Sequence, residues 1–290
     1  MRTTKGRVDA AGSSSRTRLD QLLVDRGLVE TRSRAQALVL AGKVRVGEGD
    51  GARLDRKPGE LVALDVTIAV AEPPPYVSRG GFKLAAALDA FGIDPSGRIC
   101  LDVGASTGGF SDVLLQRGAS RVYALDVGRG QLAESLRTDP RIVPMERTNA
   151  RFLAEASLPE AVSFASIDVS FISLGLILGP TASTFGPDGG EIVALVKPQF
   201  EAGRSQVKGG VVRDAEVHRE VLERVATRAL DAGLPPRGLI ASPLTGPEGN
   251  REFLLWLGVE PGHSAPPSGG GAGAALPASI VERIAAVSAP

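Results

Sequence analysis

Cysteine is almost absent from this chain: Cys100 is the single one among 290 residues, which excludes a disulfide within the chain and fits a reducing compartment. Its neighbours Ile99 and Leu101 are apolar, so the thiol reads as strand packing. Long hydrophobic runs are missing as well. No stretch approaches the roughly 18 apolar residues of a membrane span, and the N-terminus, although it carries Arg2, Lys5 and Arg7, lacks the apolar segment of a secretory signal. A soluble, cytoplasmic protein is expected, and no metal site is read. Charge of one sign is not in excess overall, with 33 basic and 33 acidic residues. Residues 1–45 nevertheless hold ten Lys/Arg against four Asp/Glu. That local excess reads either as a solvated basic face or as an electrostatic footprint for phosphate.

The length suits one small domain followed by one of standard size. Residues 1–16 are polar, basic and without periodicity, and are expected to be a disordered arm. From Thr17, Leu19, Leu22 and Leu23 recur at helical spacing, and a second helix runs from Ser33 to Gly42. Alternating segments follow, Lys43 to Val46, Leu61 to Leu64 and Val66 to Val70, so residues 17–72 read as a small α+β domain. Pro73, Pro74 and Pro75 open a stiff linker, residues 73–79. Residues 80–260 alternate strand and helix. Helices are expected near 82–91, 108–117, 130–137 and 215–232, and strands near 99–103, 121–125, 142–145, 162–167 and 191–196. Such alternation predicts an α/β domain with a mostly parallel, doubly wound sheet and a ligand crevice at the carboxyl ends of its strands. Two later strand-like runs, 237–242 and 252–258, predict an antiparallel edge. In the tail, residues 261–290, the Gly/Ala/Pro-rich part His263 to Pro277 is expected to be disordered, and Ser279 to Ser288 to form a short helix with Ile280, Val281, Ile284 and Val287 on one face.

The strand ending in Asp102-Val103 runs into Gly104-Ala105-Ser106-Thr107-Gly108-Gly109-Phe110 and then a helix. The glycine spacing is not that of the dinucleotide fingerprint. It resembles the first motif of S-adenosylmethionine methyltransferases, which implies that Asp102 lies near the amino-acid part of the cofactor and that Gly104, Ser106, Thr107, Gly108, Gly109 and Phe110 face it. The next strand ends at Asp126, where a carboxylate can accept both hydroxyls of a bound ribose. Asn149, after the strand-like run 142–145, is placed to meet the adenine edge. Both are also ordinary residues of strand-to-helix turns.

Four charged residues lie where the segments of this domain should converge: Lys83, Asp168, Lys197 and Glu252. Asp168 and Lys197 each end an apolar strand. With Asp168-Val169-Ser170-Phe171-Ile172-Ser173-Leu174 and Lys197-Pro198-Gln199-Phe200, they make the chain resemble the TlyA family, in which an S4-type RNA-binding domain precedes an FtsJ-like, Rossmann-like 2′-O-methyltransferase domain. The resemblance covers about residues 17–258. It implies that the four charges are that class's Lys-Asp-Lys-Glu tetrad and that S-adenosylmethionine is the cofactor. A ribose 2′-hydroxyl is a poor nucleophile until its proton is lost, and a lysine beside a second lysine and shielded from water can serve as the base. The expected arrangement has Lys197 as base, held by Asp168 and Lys83, with Glu252 on the far side. Asn250 lies near Glu252 or shapes its turn.

In the N-terminal domain, Arg18, Arg32, Arg34, Lys43 and Arg45 fit the S4 pattern and would contact phosphates without reading sequence. No aromatic residue precedes Tyr76, so RNA shape and backbone should dominate recognition there. The family implies ribosomal RNA or ribosomal subunits as partner and a cytidine 2′-hydroxyl as acceptor. The long N-terminal arm resembles the subtype that modifies both 16S and 23S RNA. Rival readings are a catalytically idle RNA-binding or ribosome-assembly protein, a membrane-active haemolysin, for which no spanning or amphipathic segment is found, and a small-molecule or protein methylase, for which the basic domain has no use.

Overall fold

A computed structural model of the chain describes residues 2–4, 15–71, 74–153, 158–263 and 275–289. The chain divides into two compact units, Met1–Pro75 and Tyr76–Pro290.

In the N-terminal unit, β1 (Arg2–Thr4), β2 (Arg16–Arg18), α1 (Leu19–Asp25), α2 (Arg32–Leu40), β3 (Val44–Val46), β4 (Leu61–Ala63) and β5 (Ile68–Val70) follow in order. The two helices bury Leu19, Leu22, Leu23, Ala35 and Val39 against Val44, Val46 and Ile68. The Thr31 side chain caps α2 by accepting the Arg34 N–H at 3.2 Å. Gly42, at φ +65°, ends α2, and the next N–H, of Lys43, donates back to Leu38 at 2.9 Å. β3 pairs antiparallel with β5, and β2 with β4. The arm expected to be disordered departs from that reading at both ends. Arg2–Thr4 pairs antiparallel with β5, and Arg16 begins β2. A β5 edge without β1 would leave backbone groups unpaired. Residues 1 and 5–14 of the arm lie outside the described residues.

The second unit is built on a sheet of seven strands: β6 (Ile99–Val103), β7 (Arg121–Leu125), β8 (Ile142–Met145), β9 (Phe164–Ile167), β10 (Gly190–Val196), β11 (Pro236–Ala241) and β12 (Phe253–Val259). Their spatial order is β11-β12-β10-β9-β6-β7-β8. β12 runs antiparallel to both neighbours, and the other six strands run in one direction. The expected parallel sheet with an antiparallel edge is therefore present. The connection order reverses between β6 and β9, which opens a crevice at their carboxyl ends. The helices are α3 (Gly80–Phe91), α4 (Gly109–Gln116), α5 (Glu134–Arg137), α6 (Leu178–Ala182), α7 (Pro198–Glu201), α8 (Ala215–Asp231) and α9 (Ala278–Ser288). Side chains alternate across the sheet as the pleat requires. On β12, Phe253, Leu255 and Leu257 join a core with Val221 of α8 and Ile284 of α9, while Leu254 joins Leu84 and Leu88 of α3 on the other face.

Three expectations need correction. The helix placed at 130–137 is only α5, because the carboxylates of Asp126 and Glu146 accept the N–H groups of Gly128 and Gly130, at 2.7 Å each, and hold that stretch as a loop. The linker placed at 73–79 is shorter, because the second unit begins at Tyr76. Tyr76 packs edge-to-face on Phe82 at 5.3 Å, and the Val77 N–H donates to Asp112 at 2.8 Å. The tail helix does form, yet it belongs to this unit instead of lying beyond its end at 260. α9 packs on β11 and α8 with Ile280 and Ile284 buried, whereas Val281, one residue round the helix from Ile280, is 45% exposed. Residues 264–274 of the segment expected to be disordered lie outside the described residues.

Ile284→Ala should therefore destabilise the second unit by about 2–5 kcal/mol, the range for a large-to-small change in a packed core. Thermal unfolding checks this, and an unchanged midpoint would show that α9 contributes nothing to the core.

Candidate active site

At the end of β6 the chain turns sharply, and the turn is backed directly by β9. Gly104 has φ +86°, and a Cβ there would lie 2.3 Å from the backbone oxygen of Asp168. Only glycine fits this position. Ser106 also has positive φ, 48°, and is held there because its N–H donates to Asp126 at 2.9 Å. Gly104, Ser106, Thr107, Gly109 and Phe110 line a cavity of about 630 Å³. Gly108 is not among its lining residues. Its missing Cβ makes room for Leu132 and Leu136.

Asp102 also stays out of the cavity, contrary to the sequence expectation. It is fully buried, with Oδ2 accepting the Ser111 N–H at 2.9 Å and hydroxyl at 2.7 Å, and Oδ1 accepting the Ser166 hydroxyl at 3.1 Å. A carboxylate pointing from β6 toward the α4 face finds these donors within hydrogen-bond distance. It ties the start of α4 to β9 and so fixes both ends of the glycine turn. Burial pushes its pKa up to about 6, against the pull of the serine hydrogen bonds.

An adjoining cavity of about 350 Å³ shares Gly104, Ser106 and Asp168 with the first and is lined further by Asp126, Asn149 and Ile172. Asp126, just past β7, spends one acceptor position on each of the Ser106 and Gly128 N–H groups. Asn149 acts as a turn residue and also borders the second cavity. Its Oδ1 accepts the Arg151 N–H at 3.0 Å to cap a short 3₁₀ turn.

The four charged residues meet in the larger cavity. Lys83, in the first turn of α3, is buried and places Nζ 2.5 Å from Glu252 Oε2, itself buried just before β12. Lys197, just past β10, places Nζ 2.6 Å from Asp168 Oδ1 and donates to the Ser170 hydroxyl at 3.0 Å. Asp168 is anchored by its own N–H, which donates to Val103 at 2.8 Å. The expected pattern, with Lys83 helping Asp168 to hold Lys197, is thus corrected: each lysine has its own carboxylate. Two like charges in a poorly hydrated site repel, and a buried charge without an opposite partner is costly, so crosswise pairing is the low-energy arrangement. Asn250 shapes the wall. Its Oδ1 accepts the Val212 N–H and its Nδ2 donates to the Gly210 carbonyl, both at 2.9 Å.

Phe171 belongs to the signature Asp168 to Leu174 but stands out further in the structure. Its ring is 89% exposed at the mouths of both cavities, its backbone has φ +64°, and it lies 4.9 Å from the Phe200 ring. An aromatic residue three positions after a strand-end carboxylate was the available signal. Asp20 was missed as well. Its buried carboxylate accepts both Arg18 Nε (3.0 Å) and Nη2 (2.9 Å), Arg32 Nε (3.1 Å) and Gln36 (2.8 Å), and the Arg18 hydrogen bonds hold it well below the usual carboxylate range. Two of the expected phosphate-contacting arginines are thereby fixed in place. Arg34, Lys43 and Arg45 are exposed, and Arg45, between buried Val44 and Val46, donates to Gly49 at 3.0 Å.

Two consequences can be measured. Gly104→Ala forces a methyl against backbone in a left-handed conformation, so it should abolish cofactor binding by calorimetry and lower the unfolding midpoint; wild-type binding would contradict the close approach. For Asp102, the folded state holds its proton up to about pH 6 while the unfolded chain loses it near pH 4. Its contribution to stability should fall as pH climbs through that window and level off above it. Asp102→Asn should remove that slope in urea unfolding between pH 4 and pH 7, and an unaltered slope would contradict the assignment.

Residues 76–259 match the model of the FtsJ-like methyltransferase family, and residues 17–48 that of the S4 domain. YqxC of Bacillus subtilis, named as an rRNA methyltransferase, is 50% identical over 84% of this chain and 86% of its own. The 16S/23S rRNA (cytidine-2′-O)-methyltransferase TlyA of Mycobacterium tuberculosis is 47% identical over 83% of this chain and 90% of its own. A solved structure from Streptococcus thermophilus, of a protein named as a hemolysin, is 44% identical with a TM-score of 0.67, covering 95% of this chain and 96% of that one. Among the described residues no helix is long and apolar enough to cross a membrane. With both parts of the chain matched in order and nearly half of the residues shared, the protein belongs to the TlyA family, in which an S4 domain precedes an FtsJ-like methyltransferase domain.

Proposed function

We propose that the protein methylates a cytidine 2′-hydroxyl of ribosomal RNA in the cytoplasm, using S-adenosylmethionine, on both 16S and 23S RNA as the name of its Mycobacterium tuberculosis relative states for that protein. The observation that carries this reading is the convergence of Lys83, Asp168, Lys197 and Glu252 on one cavity that opens beside the Gly104 turn. The residues present suit the cofactor. A carboxylate, Asp126, lines the smaller cavity with acceptor capacity for ribose hydroxyls, Asn149 and Ile172 flank the space for a base, and Gly104 and Thr107 line the larger cavity where an amino-acid part has room. When bound, S-adenosylmethionine supplies an electrophilic methyl carbon on a positively charged sulfur.

The protein's own residues would then act as follows. Lys197, as free amine, takes the proton of the ribose 2′-hydroxyl as the oxygen bonds to the methyl carbon. The donor would supply the methyl carbon and leave as a neutral thioether, and the Lys197 amine would hold the proton as an ammonium. Asp168, 2.6 Å away, stabilises that ammonium and aims the amine. Lys83 and Glu252, locked to each other, form a rigid wall that positions the acceptor, so orientation contributes much of the acceleration. The exposed Phe171 ring, packed against Phe200, offers a stacking surface beside the tetrad and supports a base held there out of its helix. In the N-terminal unit, Arg18, Arg32, Arg34, Lys43 and Arg45 would grip the phosphate backbone.

Lys197→Ala should lower methyl incorporation into ribosomal RNA by roughly 10²- to 10⁴-fold, the usual contribution of a positioned base, with cofactor and RNA affinities unchanged. Wild-type incorporation in this variant would refute the role of Lys197.

A further inference from the structure

The segment that carries Glu252 is gripped from both faces of the sheet, and one of the grips comes from the tail. In the extended stretch leading into β12, alternate residues face opposite ways. Glu252 turns to the α3 face and meets Lys83. Arg251 turns to the other face, where Nη1 donates to the Ala289 carbonyl at 2.7 Å and Nη2 to the Val287 carbonyl at 2.9 Å. These are carbonyls at the end of α9, where a helix has acceptors without intrahelical donors and carries partial negative charge, so a guanidinium fork suits them. The Ser288 hydroxyl donates to Ile284 at 2.7 Å, and α9 is seated on β11 and α8 through Ile280 and Ile284. The end of α9 is therefore a fixed post. The guanidinium also lies 5.9 Å over the Phe253 ring, the next residue but one, which limits its own freedom.

We propose that Arg251 is a positioning residue: by clasping the end of α9 it holds the entry to β12 so that Glu252 meets Lys83, and the tail helix, which lies outside the matched methyltransferase region 76–259, is thereby part of the support of the active site. This rests on the catalytic reading of the tetrad. Without the clasp, the segment bearing Glu252 keeps its backbone bond from Ser242 and the buried Phe253 beyond it, but loses the side-chain hold next to Glu252 on the α9 face. A carboxylate displaced by a fraction of an ångström no longer fixes the Lys83 amine, and transfer geometry suffers while the cofactor's own contacts, on β6 and β7, are untouched.

The test is a double-mutant cycle on the full chain, with kcat for methylation of ribosomal RNA as readout and cofactor affinity measured alongside. Arg251→Ala should lower kcat by roughly ten- to a hundredfold and leave cofactor affinity within about twofold, while Arg251→Lys, which reaches one carbonyl only, restores part of the rate. In the Glu252→Ala background, Arg251→Ala should cause no further loss. Wild-type kcat in Arg251→Ala, or the same fold-loss in both backgrounds, would overturn the proposal, the second because it marks a general loss of stability. Wild-type kcat in Glu252→Ala would instead refute the tetrad reading and this proposal with it. Should Arg251→Ala fail to fold, Arg251→Lys carries the same comparison.

Discussion

Two lysines and two carboxylates share one partly dry cavity, and the constraint that orders the catalytic unit is that none of these charges can be left without its opposite. Pairing Lys197 with Asp168 requires the ends of β9 and β10 to be neighbours, which the parallel pairing of those strands provides. Pairing Lys83 with Glu252 requires α3 to lie across β12, the antiparallel strand, and α3 does pack there. The antiparallel strand is thus more than a cover for the sheet. It delivers the fourth charge from a direction that a parallel strand, with its carboxyl end at the crevice, would not supply.

The crevice itself arises from sheet order. Where β6 and β9 part, the turn after β6 runs against the backbone of Asp168, closely enough that a side chain on Gly104 has no space. This contact places the glycine turn, which faces the methyl donor in the proposed reaction, beside the strand end that bears Asp168. Asp102 secures the turn from beneath through Ser111 and Ser166. Its burial is a cost that the three hydrogen bonds offset only in part, which accounts for its raised pKa.

Much of this was legible in the residues. Asp168 and Lys197 end apolar runs, and a strand-end charge in an alternating α/β pattern points to the crevice. The glycine turn, the antiparallel edge and the basic N-terminal helices follow from spacing alone. Who pairs with whom was not legible, because a one-dimensional pattern shows that four charges converge without showing which distances close. The fate of Asp102 was hidden for a similar reason. Its position at a strand end fits a ligand contact, and only the side of the pleat on which it falls decides for Ser111 instead. The first half of the helix read at 130–137 gave way to a loop, because side-chain carboxylates took the backbone donors of Gly128 and Gly130. α9 looked like an appendage because the Gly-rich stretch before it breaks the pattern, although its Ile280 and Ile284 complete a core assembled from β11 and α8.

The two units divide the work by chemistry. The N-terminal one has no aromatic residue and presents arginines, two of them steadied by the buried Asp20, which suits contact with a phosphate backbone. The catalytic one holds the tetrad and the exposed Phe171. The central claim is that the Lys197 amine takes the proton of the acceptor hydroxyl. Its most direct test is the distance from Lys197 Nζ to the acceptor 2′-oxygen in a structure of the protein with an unreactive analogue of the methyl donor and a bound RNA fragment. A separation of about 2.6–3.2 Å is predicted. An acceptor oxygen bonded to another group, with the Lys197 amine beyond hydrogen-bond reach, would contradict it.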